Sequence, residues 1–170
     1  MTSALILASL ALSSYTPKGP RVEFRLSNGS AFVITTDPKL SPRTVAHILG
    51  LVKVGFYDQQ RFHRVESWVT QWGAPQSRVK PLDSEEVGDG GSGKDIPVFE
   101  AAPNVDFLRG IVGVASTGFQ VPGDSQLFIL KQDTQRLYGS YAVVGKVTQG
   151  MDVVGRIMKG DRIKWARILK

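Results

Sequence analysis

The chain has 170 residues, 42% of them hydrophobic and 21% charged, which fits one globular domain with room for a core of its own. It has no cysteine and only two histidines, His47 and His63. That excludes disulfides, thiolate metal sites, a cysteine nucleophile and a histidine metal cluster. The formal charge of +6 would suit a phosphate-bearing partner if the cations were clustered.

Residues 1–14, MTSALILASLALSS, make an apolar run too short to span a membrane. The run resembles the core of an export signal, although no Lys or Arg precedes it. Breakers follow from Tyr15 to Pro20. The expectation is a signal segment or flexible arm at 1–20 and one folded domain at 21–170, in an exported (periplasmic or secreted) protein. If the run is not a signal, the location is cytoplasmic.

Val22 to Leu26 and Ala31 to Thr35 alternate with period two around Asn28-Gly29, which predicts a hairpin. Ser41 and Pro42 then open a helix carried by Val45, Ile48, Leu49 and Val52, and Gly55 ends it. Short strands are expected at 61–65, 68–72, 98–100, 111–115, 126–130 and 142–147, and a second helix at 151–158. Gln76 to Lys94 reads as a long surface loop, because it lacks apolar periodicity and carries Gly88, Gly90, Gly91 and Gly93. The last cations, Arg156, Lys159, Arg162, Lys164, Arg167 and Lys170, are spaced among Ile157, Ile163, Trp165, Ile168 and Leu169. That spacing predicts a terminal strand with a solvated basic face, and no nucleic-acid partner is expected. Many short strands and two helices point to a mainly β fold, a closed antiparallel barrel or sandwich.

No Ser-His-Asp motif, H-E-x-x-H, phosphate loop or dinucleotide fingerprint is present. What stands out is an ordered set of strings. These are Gly55-Phe56-Tyr57-Asp58, Phe62-His63-Arg64-Val65, Gln71-x-Gly73-x-Pro75, Ser125-Gln126-x-Phe128-Ile129, and Gly145-Lys146-Val147 ahead of Gly150-Met151-Asp152. In this order the chain resembles the cyclophilin family of peptidyl-prolyl cis/trans isomerases, from Val22 to Ile157.

The resemblance implies a closed eight-stranded antiparallel β-barrel capped by two α-helices. It also implies an enzyme that needs no cofactor or metal, works on proline-containing polypeptides and assists their folding. A monomer without a membrane span is expected. The chemistry is rotation about an X-Pro bond, and a fixed donor aimed at the prolyl nitrogen favours the twisted amide over the planar one.

By the matching positions, the resemblance implies Arg64 as that catalytic donor. It makes Phe128 the floor of a proline pocket, Leu137 a wall, and Trp68 and Val69 its apolar lining. Gln71 would hold the substrate carbonyl or orient Arg64. Gln126, Ala115 and Ser116 would grip the peptide, and Tyr141 stands at the rim where the family commonly has histidine. Arg136 replaces a rim tryptophan, so weakened binding of the cyclic peptide cyclosporin is expected. Phe32, Phe62 and His63 read as structural. The alternative function is a catalytically weak module of the same fold that docks proline-containing segments.

Overall fold

The structure, a computed structural model, describes residues 15–170, so the apolar run at 1–14 lies outside the described residues. Eight strands are present: β1 (Arg21–Leu26), β2 (Ala31–Thr36), β3 (Arg64–Val65), β4 (Val69–Trp72), β5 (Ile111–Val114), β6 (Leu127–Leu130), β7 (Val143–Gln149) and β8 (Ile163–Ile168). Helices are α1 (Pro42–Lys53), the single turn α2 (Glu85–Gly88) and α3 (Met151–Arg156). Among the described residues no helix is long and apolar enough to cross a membrane.

All strand pairs are antiparallel and form one sheet in the order β3-β4-β6-β5-β7-β2-β1-β8. The ends of that order, β3 and β8, do not pair as strands. The segments just ahead of them meet instead. Arg61 bridges to Arg162, Gln59 N–H reaches Ile163 O at 2.8 Å, and Gly160 N–H reaches Phe62 O at 2.9 Å. The architecture is therefore mainly β, a curled eight-stranded sheet with few helices, and its ladder stays open where a fully closed barrel was expected.

The hairpin forms as its alternation predicts. Gly29 takes φ +90°, and Phe24 faces Phe32 across the register with rings stacked 5.3 Å apart. Helix α1 begins after Ser41, but the serine hydroxyl makes no capping bond. The carboxylate of Glu100 caps the helix instead, accepting from Arg43 N–H at 3.1 Å and Thr44 N–H at 2.8 Å.

The expected strand at 98–100 is absent. Pro97 and Pro103 flank it and offer no N–H to a ladder, which leaves Glu100 free for the helix end. Helix α3 stops at Arg156, short of the expected 158, because Ile157 turns to an extended ψ of 132° and buries its side chain. The segment 76–94 is more ordered than a loop reading implies. It holds a 3₁₀ turn at Pro75–Arg78 and the single turn α2, and Val87 is fully buried.

Period-two alternation sends successive residues to two separate cores. On β6, Leu127 and Ile129 join the larger core with Phe24, Phe32, Phe62, Trp72 and the α1 residues Val45, Ile48 and Val52. Phe128 and Leu130 join a second core with Val69, Phe107, Ile111, Leu137 and Val143. The central strands are thus covered on both faces, and the second face carries the candidate site.

Candidate active site

The site is built on one row of facing residues. Arg64 on β3 faces Gln71 on β4, Gln71 faces Phe128 on β6, and Phe128 faces Gly113 on β5. Residues directly opposite in antiparallel strands share a face, so the guanidinium, the amide and the phenyl ring stand side by side. Val69, two residues before Gln71, points the same way. Gly113 makes room for the floor, because a Cβ there would fall well inside contact distance of Phe128 Cζ.

A cleft of about 330 Å³ opens on this row. Its lining unites Arg64, Trp68, Val69, Gln71, Ala115, Ser116, Phe128, Leu137 and Tyr141, all of which the sequence reading nominates. Phe128 is only 5% exposed and packs edge-on against Tyr141, with ring centroids 5.3 Å apart. The cleft is apolar at its base and polar at one side, as small-ligand sites usually are.

Two hydrogen bonds hold the Arg64 guanidinium, which also lies over the Trp68 ring, 5.4 Å from its centre. Its Nε donates to Glu66 Oε1 at 2.7 Å and its Nη1 donates to Gln71 Oε1 at 3.3 Å. A guanidinium carries five donors in a rigid fork, so Nη2 and one Nη1 hydrogen stay free. Glu66 also accepts from Trp68 Nε1 at 2.8 Å, which ties the indole to the arginine. The Arg64 guanidinium beside Glu66 holds that carboxyl below its ordinary range, so it stays ionised. Gln71 is itself anchored, since its Nε2 donates to Gln126 Oε1 at 2.7 Å.

Gln126 does not line this cleft. It is buried between Gln71 and the loop after α2, donating from Nε2 to Gly88 O at 2.8 Å and Gly90 O at 2.7 Å. It lines an adjoining cavity of about 730 Å³ that shares Gln71, Ala115 and Ser116 with the cleft. Asp124 pins the rim of that cavity, accepting from Ser92, from Gly93 N–H at 3.1 Å and from His47 Nε2 at 3.0 Å. His63 is buried, and burial holds its imidazole neutral with a pKa lowered to about 4. Phe32 and Phe62 are fully buried core residues, as expected.

Three residues enter the site without having been nominated. Glu66 lies two positions from both Arg64 and Trp68, the only signal that could have found it. Phe119 lines the cleft from a loop, its ring 5.9 Å from Tyr141. Arg136, singled out only as a rim substitution, lies with its guanidinium 4.6 Å from the Trp68 ring centre.

The comparisons with known proteins bear on the family and the fold. The family model for cyclophilin type peptidyl-prolyl cis-trans isomerase matches residues 21–170. A probable peptidyl-prolyl cis-trans isomerase of Brucella abortus is 36% identical over 163 residues, covering 93% of this chain and 81% of its own. Peptidyl-prolyl cis-trans isomerase B of Bacillus subtilis is 32% identical over 146 residues, covering 85% of this chain and 95% of its own. A crystal structure of a cyclophilin type isomerase from Cryptosporidium parvum superposes with a TM-score of 0.77 at 22% identity, over 90% of this chain and 99% of that one. A match over the whole folded region, joined to relatives above 30% identity, makes this chain a member of the cyclophilin family of peptidyl-prolyl cis-trans isomerases.

Proposed function

We propose that the free Arg64 donors stabilise the twisted X-Pro amide while Phe128, Val69, Leu137 and Trp68 hold the proline ring. Amide resonance opposes rotation by ~18–20 kcal/mol, and twisting returns the lone pair to the prolyl nitrogen. A donor held beside that nitrogen therefore gains strength only as the bond rotates, which is how a catalyst must discriminate. Gln71 keeps the donor in place, and Gln126 supports Gln71 from behind. Ala115, Ser116 and the rim residue Tyr141 hold the rest of the peptide. The observation that carries this reading is the single facing row Arg64–Gln71–Phe128–Gly113, with Arg64, Gln71 and Phe128 lining one cleft.

The test is cis/trans exchange of a short X-Pro peptide by wild type and Arg64→Ala. The variant should lose about 10²–10³-fold in kcat/KM, the range for one preorganised donor. Exchange as slow with both proteins as without them, with peptide still bound, would establish the docking-module alternative, and equal accelerated rates would remove Arg64 from the mechanism.

The same proposal extends to clients and place. The apolar run at 1–14 supports an exported enzyme acting on proline-containing chains after export. Protein isolated from its native host should begin beyond residue 14. Recovery of an intact Met1 from the exported fraction, or of all the protein from the cytoplasm, refutes that assignment.

A further inference from the structure

The geometry points to Arg136 as a specificity residue that makes this cleft prefer an acidic side chain within two residues of the substrate proline. The inference rests on the isomerase reading and adds a substrate class to it.

The charged groups lining the cleft are Arg64 and Arg136, and no Asp or Glu lines it among the described residues. Their situations differ. Arg64 is paired with Glu66, whose two oxygens are both taken, one by Arg64 Nε and one by Trp68 Nε1. Glu66 also feels the charge of Arg136, but no salt bridge joins the two. Among the described residues Arg136 forms no salt bridge or hydrogen bond, and its one specific contact is the face of Trp68. Stacking uses the flat face of a guanidinium and leaves the N–H donors along its edges available. Arg136 is exposed and follows Gln135 in the turn that ends at Leu137, so it stands beside a wall of the proline pocket.

A cation stacked in place with no direct salt-bridge partner is preorganised to accept a carboxylate, which costs little ordering when the peptide arrives. The adjoining cavity carries the opposite charge, with Glu86, Asp89, Asp95 and Asp124 in its lining. The preference is therefore local to the cleft and does not follow from the overall charge of +6.

The test compares X-Pro peptides that differ only in Glu, Ala or Lys at the positions flanking the proline, one at a time. Exchange is followed by NMR without a coupling protease, and binding by titration. Wild type should favour the best-placed Glu peptide over its Lys counterpart by roughly threefold at low salt, the scale of one exposed ion pair. The ratio should fall toward one at about 0.5 M salt. Arg136→Glu should invert it. Lys164→Glu, which makes the same change in net charge on the exposed face of β8, should leave it in place. A wild-type ratio of one, no inversion in Arg136→Glu, or an equal shift in Lys164→Glu overturns the inference. The titration reads the same ratio even without turnover, so failure of the isomerase reading, seen as no exchange of the Ala peptide, is distinguished from failure of this one.

Discussion

His63 is next to Arg64 in the chain, yet its consequence is for stability. It is 7% exposed, and burial lowers its pKa from about 6.5 to about 4, with the nearby charges of Arg64 and Lys159 acting in the same direction. The folded protein resists a proton that the unfolded chain accepts. Above pH 6.5 both states hold neutral imidazole and nothing is lost. As pH falls from 6.5 toward 4 the unfolded state gains the proton first, and stability drops by on the order of 3 kcal/mol before levelling off. Urea unfolding at pH 7.5 and 4.5 should show that loss, and His63→Gln should lose markedly less over the same interval. An identical pH dependence in the variant would show that other groups cause it. At the same scale, Arg64, Gln71 and Phe128 were reached through the motifs that resemble the cyclophilin family, and the structure brings them onto one facing row. Glu66 and Phe119 were not, because their roles come from a short turn and a loop whose path no periodicity encodes. The engagement of Gln126 with Gly88 and Gly90 was hidden for the same reason, since its partners are backbone carbonyls 36 and 38 residues away.

Elements were legible in proportion to how far their own residues decide them. The β1–β2 hairpin declares itself through Asn28-Gly29 and alternating side chains, and the structure follows within a residue or two. Helix α1 is announced by its apolar spacing and Pro42, but its cap comes from Glu100, a contact 56 or 57 residues away that no local pattern predicts. Strand β6, with all four of its residues buried, shows no amphipathic alternation because it feeds a core on each face. The same two-sided burial makes the site possible. One set of alternate residues fastens the sheet to the larger core, and the other set is left to build a floor. The apparent loop at 76–94 misleads because its order comes from outside, through Gln126, Asp124 and the burial of Val87.

At the scale of the molecule, the curled sheet has to hold its two ends together without a continuous ladder between β3 and β8. Arg64 is on the first of those ends, so the precision of the cleft depends on that junction. Asp58 is the fastening. Its Oδ1 accepts from Ala166 N–H at 3.0 Å and from Arg167 Nη1 at 2.9 Å, while Oδ2 accepts from Arg167 Nη2 at 2.7 Å. This forked pair also satisfies a backbone donor on the edge strand β8 that would otherwise go unpaired. Asp58→Ala removes all three bonds and strands the Ala166 N–H, at a cost of about 1–3 kcal/mol. For a domain of this size that lowers Tm by roughly 2–10 °C. Amide exchange should quicken at 59–63 and 160–166 and stay unchanged in the β5–β6 ladder, because the loss is confined to the junction. Arg64 would then be less firmly placed, so kcat should fall while binding of a proline peptide in the Phe128 pocket changes little. An unchanged Tm, or exchange that rises evenly over the whole sheet, would mean that the ends are held by packing of the larger core and that Asp58 only decorates the seam.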